Sequence, residues 1–311
     1  MTTRVPQLSR GVRGITLDAG AVTLSGLLSE PGHTATRGVV VAVHGGGMNA
    51  GYFDGQAGPQ LSLLTLGASL GYTVLAVDRP GYRRSAPQLP DGLPLAEQGP
   101  VLRAALRDFA ARYAVGAGFF LVGHSFGGKV ALTAAADLTD GDLLGHELLG
   151  IDISGLGHHY AVGPDDLPDS PFSDAPARSR WAKHWGPLRL YPPNTFRTSG
   201  ALVAPMPARE RADAAAWPGL FPGIASRVRV PVRLTFAEYE AWWRHDEASL
   251  AELTGAFSAA PRVLVGRQPD AGHNVSLGWA ARAYHLSTLA FLESCLATRE
   301  ASPAPRPTAV A

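Results

Sequence analysis

Cysteine, lysine and long apolar runs are all scarce in this sequence. A single cysteine, Cys295, in 311 residues cannot close an internal disulfide, so nothing points to an oxidising compartment. It stands in an apolar final segment and reads as a core residue, not as a nucleophile. Lysine occurs twice, at Lys129 and Lys183, among 27 basic residues; arginine supplies the rest, as a GC-rich genome would encode. A net charge of +1 gives no electrostatic footprint for nucleic acid or an acidic membrane surface. Apolar runs such as Val39 to Val43 fall far short of the roughly 18 residues needed to cross a bilayer. The stretch from Met1 to Arg13 is polar and carries no apolar signal segment. With 46% hydrophobic and 17% charged residues, general disorder is excluded. The expectation is a cytoplasmic globular protein with neither nucleic acid nor membrane as partner.

Short runs rich in Val, Ile and Leu alternate with helical stretches. Strands are predicted at Gly38–Val43, Thr73–Val77, Gly118–Val122, Leu148–Ile153, Val232–Phe236 and Arg262–Val265, all apolar as strands covered on both faces should be. An antiparallel hairpin is expected over Gly14–Leu28. Helices are predicted at Leu61–Leu70, Pro100–Tyr113, Gly128–Leu138, Ala241–Leu253 and Leu277–Leu296. This rhythm predicts an α/β fold, a mostly parallel central sheet with helices on both faces. Residues 155–224 break it, being rich in Pro, Asp, Trp and Arg without a strand signal. A stretch of that kind inside a compact domain is usually functional, often a lid. The expected organisation is a core of residues 1–154 and 225–300, an insertion at 155–224, and a disordered tail at 301–311.

Gly123-His124-Ser125-Phe126-Gly127 follows a strand and precedes a helix, the context in which G-x-S-x-G presents a reactive serine. Glycines around Ser125 let neighbouring chain approach a tight, strained turn, and the helix that follows aims its first N–H groups at the site. His44-Gly45-Gly46-Gly47 ends another strand. Acyl-transfer chemistry needs N–H donors where a carbonyl oxygen becomes an anion, and Gly46 and Phe126 are the expected donors, with Gly47 as alternative to Gly46. His44 is expected to order this loop through hydrogen bonds. A serine nucleophile needs a base, and the base a carboxylate. His273, after the last strand, is the candidate base. Glu240 and Glu238, after the preceding strand, are candidate acids, and the order Ser125, Glu240, His273 is that of G-x-S-x-G hydrolases.

From about Gly14 to Leu296 the sequence resembles the α/β-hydrolase superfamily, on His44–Gly47, Gly123–Gly128, the acid after the strand, and Ala271-Gly272-His273. Asp78-Arg79-Pro80-Gly81-Tyr82-Arg83-Arg84-Ser85 also looks like a loop of that family, with Arg83 where a second glycine is common. The resemblance implies that 155–224 is a cap. It also puts the acid in a Gly-x-x-Asp pattern, from which Ala237-Glu238-Tyr239-Glu240 departs. Asp152 is a third candidate acid, since some members supply it from the previous strand.

Three other motifs fall short of the chemistry they suggest. Gly45-Gly46-Gly47-Met48-Asn49-Ala50 with Asp78 mimics a dinucleotide-binding unit, but the acid lies too far along the chain. Gly123 to Lys129 approaches a P-loop, but Val130 replaces the required Ser or Thr; Lys129 is expected to snorkel at a helix start. His158-His159 offer a metal pair, yet adjacent side chains on an extended chain diverge and no third ligand stands at useful spacing. No metal and no cofactor are expected. The predicted function is a serine hydrolase acting on a small-molecule ester or thioester, possibly held on a carrier protein. Trp181, Trp185, Tyr191 and Phe196 are expected to bind an apolar or aromatic acyl group, with Arg189 and Arg197 near a carboxylate or phosphate. Acyl transfer to an acceptor other than water, and ligand capture without turnover, stay open as alternatives.

Overall fold

The computed structural model describes residues 7–32, 34–139, 142–163, 166–167, 177–198 and 201–301. Among them eight strands form one sheet: β1 (Arg13–Asp18), β2 (Thr23–Ser29), β3 (Val39–Val43), β4 (Thr73–Val77), β5 (Phe119–His124), β6 (Leu148–Ser154), β7 (Val232–Tyr239) and β8 (Val263–Gly272). The spatial order is β1-β2-β4-β3-β5-β6-β7-β8. The hairpin β1–β2 and the β2–β4 pair are antiparallel, and all other pairs are parallel.

The central strands are buried at every residue because helices cover both faces. The pleat sends alternate side chains to opposite layers. Val41, Val43 and Leu121 face a core built with α2 (Leu95–Arg112) and α3 (Phe126–Ala136). Val40, Ala42, Phe120 and Val122 face a second core built with α1 (Leu63–Ser69) and α8 (Ala281–Ala301). Cys295 packs in that second core, where burial raises its thiol pKa and keeps it unreactive. No helix among the described residues is long and apolar enough to cross a membrane.

Between β6 and β7, residues 155–224 carry the helices α4 (Ala177–Trp185), α5 (Thr195–Thr198) and most of α6 (Ala208–Ala225). The tail expected from Ala301 lies outside the described residues except for Ala301 itself, which ends α8. Helix boundaries shift where caps override periodicity. The helix α2 starts at Leu95, before Pro100, because Asp213 of α6 accepts the Leu95 N–H at 2.6 Å. The helix predicted from Ala241 is α7 (Glu247–Gly255), capped by Asp246, whose carboxylate accepts the Ser249 N–H at 3.0 Å. The turn Val275–Leu277 precedes α8, so that helix begins at Ala281 and not at Leu277.

β7 and β8 run past their apolar segments. The extension of β8 reads Arg267-Gln268-Pro269-Asp270, polar and without the Val-Ile-Leu signal that marks a covered strand. It still pairs with β7 up to Tyr239↔Gly272. Glu240 and His273 are the next residues on each side, so this last rung sets them side by side.

Close packing at the β5–α3 turn generates a test. A Cβ on Gly127 would lie 2.1 Å from the Val43 carbonyl oxygen and 2.5 Å from that of His44, both backbone atoms that cannot yield. Gly127→Ala is expected to cost about 3 kcal/mol. Gly14→Ala, which meets nothing within 4 Å, is expected to stay within about 0.5 kcal/mol. Urea midpoints of the two variants check both values.

Candidate active site

Ser125 occupies the turn between β5 and α3 at φ 51° and ψ −119°, a left-handed conformation that L residues rarely adopt. Strain of this kind persists only where the surroundings over-determine it. Here the Ser125 N–H donates to Ser154 O at 2.8 Å, and Gly128 N–H donates to Ser125 O at 2.9 Å. The turn leaves Ser125 half-buried at the mouth of a cavity, with the N-terminus of α3 beside it.

Of the three candidate acids, only Glu240 meets His273. Its Oε2 lies 2.8 Å from His273 Nδ1, and its Oε1 accepts the Trp242 N–H at 2.9 Å. Both side chains are almost wholly buried. Glu238 turns outward and accepts the Asp270 N–H at 2.8 Å. Asp152 is buried on β6, paired with Arg233 Nη1 at 2.5 Å and Tyr284 Oη at 3.1 Å. Ser125 and His273 line the same cavity. An imidazole held by a buried carboxylate can take the proton of a serine hydroxyl that reaches it within the same cavity, while the carboxylate stabilises the resulting imidazolium.

The loop from His44 is held in detail. His44 Nδ1 donates to Gly45 O at 2.8 Å, because its Nε2 accepts the Arg79 N–H at 3.1 Å. Burial, aided by the Arg79 charge, drives its pKa well below that of a free histidine, so the ring is neutral. The Gly47 N–H is committed to Tyr82 Oη at 3.0 Å, whereas Gly46 lines the cavity. Behind the loop, Arg79 is 1% exposed and is bonded through Nε to His44 O at 2.8 Å and through Nη2 to Gly45 O at 3.2 Å. Arg79 is also ion-paired with Glu210 of α6, which is fully buried. Burial alone would lower the Arg79 pKa, but Glu210 and Tyr82 outweigh it and keep the guanidinium charged. Arg83, where a glycine is common, adopts a left-handed φ of 47°.

The cavity measures about 620 Å³ including its mouth, and besides the residues above it is lined by Met48, His124, Phe126, Lys129, Tyr160, His184, Met206, Trp242 and Trp243 among others. The aromatic residues expected there lie elsewhere. Trp181, Trp185, Tyr191 and Phe196 form a cluster of their own, with ring centroids 5.0 to 6.3 Å apart, and none lines the cavity. Side chains on short helices satisfy each other before they reach a ligand. Arg189 is exposed and donates to Tyr239 Oη at 2.7 Å, and Arg197 is exposed too. Trp242 and Trp243, two and three residues past Glu240, line the cavity without having been expected there, though adjacent tryptophans beside a candidate acid are a legible signal. Lys129 does not snorkel: it is 2% exposed.

The decoy motifs resolve structurally. Asp78 is buried and accepts from Ala50 N–H and Ser25 Oγ, both at 2.7 Å, so it braces the β4 end. His158 and His159 do not diverge, because the chain bends there. Their ring centroids are 4.1 Å apart, and each Nε2 faces Glu252, at 3.4 and 3.1 Å. Among the described residues this is the group whose ligating atoms could surround a cation, all within 4.8 Å of one another, and it lies outside the cavity.

A mostly parallel sheet, with a serine on its β5–α3 turn and a buried Glu–His pair past β7 and β8, defines the α/β-hydrolase class of fold. The chain belongs to the alpha/beta hydrolase family, whose profile matches residues 40–296. No curated protein sequence matches. Among solved structures it is similar to a thermostable carboxyl esterase from Bacillus coagulans, at 14% identity and a TM-score of 0.65, over 93% of this chain and 100% of that one. A thioesterase domain from the curacin biosynthetic pathway matches at 17% identity and a TM-score of 0.56, over 89% and 99%. An N-acyl homoserine lactonase matches at 14% identity and a TM-score of 0.60, over 91% and 97%. At such identities the likeness carries the fold.

The buried groups make two predictions. Arg79→Met leaves Glu210 charged and unpaired, and is expected to cost about 3 to 5 kcal/mol; adding Glu210→Met should restore most of that in chemical denaturation. His44, His124 and His285 are held neutral by burial, the last with its pKa lowered to about 3. Below pH 6.5 the unfolded chain takes up protons that the native one refuses, so stability falls as pH falls. Each histidine adds a slope approaching about 1.4 kcal/mol per pH unit. Urea midpoints at pH 7, 6 and 5 should drop accordingly, and less steeply in His285→Leu.

Proposed function

We propose that the protein is a serine hydrolase that cleaves a carboxylic ester or thioester through an acyl-enzyme on Ser125. The observation that carries this reading is the 2.8 Å contact between His273 Nδ1 and Glu240 Oε2 at the edge of a cavity that Ser125 also lines. His273 takes the Ser125 proton as Oγ attacks the carbonyl carbon, and Glu240 stabilises the imidazolium. The N–H groups of Gly46 and Phe126 receive the oxyanion; commitment of the Gly47 amide to Tyr82 favours Gly46 over Gly47. His273 then protonates the leaving group, and water drawn in by the same imidazole releases the acyl group.

Met48, Met206, Trp242 and Trp243 along the cavity support an apolar or aromatic acyl group. Tyr160, His184, Met206 and Ala214 come from the 155–224 segment, which supports its role as a cap over the serine. The substrate is read as a small molecule, with the thioesterase and esterase neighbours pointing to the two linkages. A cytoplasmic setting belongs to the same reading, on the strength of the one buried thiol.

A fluorophosphonate probe should add one label to the native protein, by intact mass, and none to Ser125→Ala. Ester turnover should fall about 10⁴-fold in His273→Ala and by a similar factor in Glu240→Ala, with Glu238→Gln near the native rate. Labelling that survives Ser125→Ala would refute the assignment.

A further inference from the structure

Lys129 is the second unusual residue of the cavity. It sits on α3 four positions after Ser125, one helical turn or about 6 Å further along the axis. Its ammonium is enclosed by the rings of Trp217, Phe126, Trp243 and Tyr160, at 5.2, 5.3, 5.5 and 5.8 Å. Among the described residues it makes one hydrogen bond, a long one donated to Tyr160 Oη at 3.3 Å, and that hydroxyl already donates to Ala214 O at 2.7 Å. An ammonium has three protons to place.

The acids nearby are spent elsewhere. Glu210 is clamped by Arg79, Tyr82 and Gln98, and Asp213 accepts the Leu95 N–H. Among the described residues no carboxylate forms an ion pair with Lys129. Burial lowers its pKa to about 7, with Asp213 and Glu210 only partly offsetting this, so the charge is under-compensated. Buried charges are normally paired, and an unpaired one that lines a cavity lacks an anion. Core packing alone does not call for an amine here, since a methionine would fill the same volume among these rings.

We infer that Lys129 is a specificity-determining residue that pairs with a carboxylate at the far end of the substrate's acyl group, so that the preferred substrate is a monoester or monothioester of a short dicarboxylic acid. The aromatic walls would take the methylene chain, and the ammonium the terminal anion. This rests on the hydrolase reading only for where the ester carbonyl sits, next to Ser125.

Binding separates the two claims. Monoethyl adipate and ethyl hexanoate have chains of equal length and differ in the terminal carboxylate. Titrated calorimetrically into the Ser125→Ala protein, which cannot turn them over, monoethyl adipate should bind at least 10-fold more tightly. That preference should vanish in Ser125→Ala/Lys129→Met and partly persist with Lys129→Arg. Equal affinities, a preference for ethyl hexanoate, no measurable binding of monoethyl adipate, or a preference that survives Lys129→Met overturns the inference. The comparison between ligands in the lysine-containing protein decides the matter even if the methionine variant fails to fold. Release of ethanol from ethyl hexanoate by the native protein tests the hydrolase reading separately.

Discussion

The Arg79 guanidinium lies where almost no water reaches, and its donors are divided among segments far apart in the chain. They hold two carbonyls of the glycine-rich loop after β3, the Gln98 side chain of α2, the Tyr82 hydroxyl and the Glu210 carboxylate of α6. Its face also covers the ring of Phe126, the residue that follows Ser125. A charge in such a place is tolerated only while its partners stay put. The consequence is mutual: α6 cannot leave the core without stranding Glu210, and the loop cannot reshape without stranding Arg79. The loop that brings Gly45 and Gly46 to the cavity and the helix that brings Ala214 to it are therefore held by one buried ion pair.

A second constraint is the pairing of β7 with β8 beyond their apolar segments. Edge strands are stabilised by ladder hydrogen bonds as much as by side-chain burial, so the polar run from Arg267 stays extended. The rung Tyr239↔Gly272 then delivers Glu240 and His273 as neighbours. Glu240 supplies the carboxylate from a position where aspartate is common, and its second oxygen is held by the Trp242 N–H. That bond fixes the extra methylene of the longer side chain.

Much of this was legible in one dimension. Gly123 to Gly127 could be placed on a strand–turn–helix because the runs on either side are unambiguous, and the order of Ser125, Glu240 and His273 follows from strand order. The sequence favours Glu240 with Glu238 and Asp152 as alternatives, and what separates them is tertiary: Glu238 turns outward to the Asp270 N–H while Asp152 finds Arg233 on the neighbouring strand. Trp181, Trp185, Tyr191 and Phe196 misled for a related reason. Aromatic residues close in sequence on short helices pack on one another, while the cavity takes Tyr160, Trp242 and Trp243 from segments separated by some eighty positions.

By itself, then, the sequence determined the sheet, its order of strands and helices, and the turn that carries Ser125. Those depend on local periodicity and on glycines that act within a few residues. What surrounds Ser125 was decided only in three dimensions. Lys129 reads as an ordinary helix-start lysine until Trp217, Tyr160 and Trp243 close around it, and His158 and His159 read as divergent until the chain bends them toward Glu252. Burial and ion pairing are properties of contacts between distant segments, and no window along the chain contains both partners.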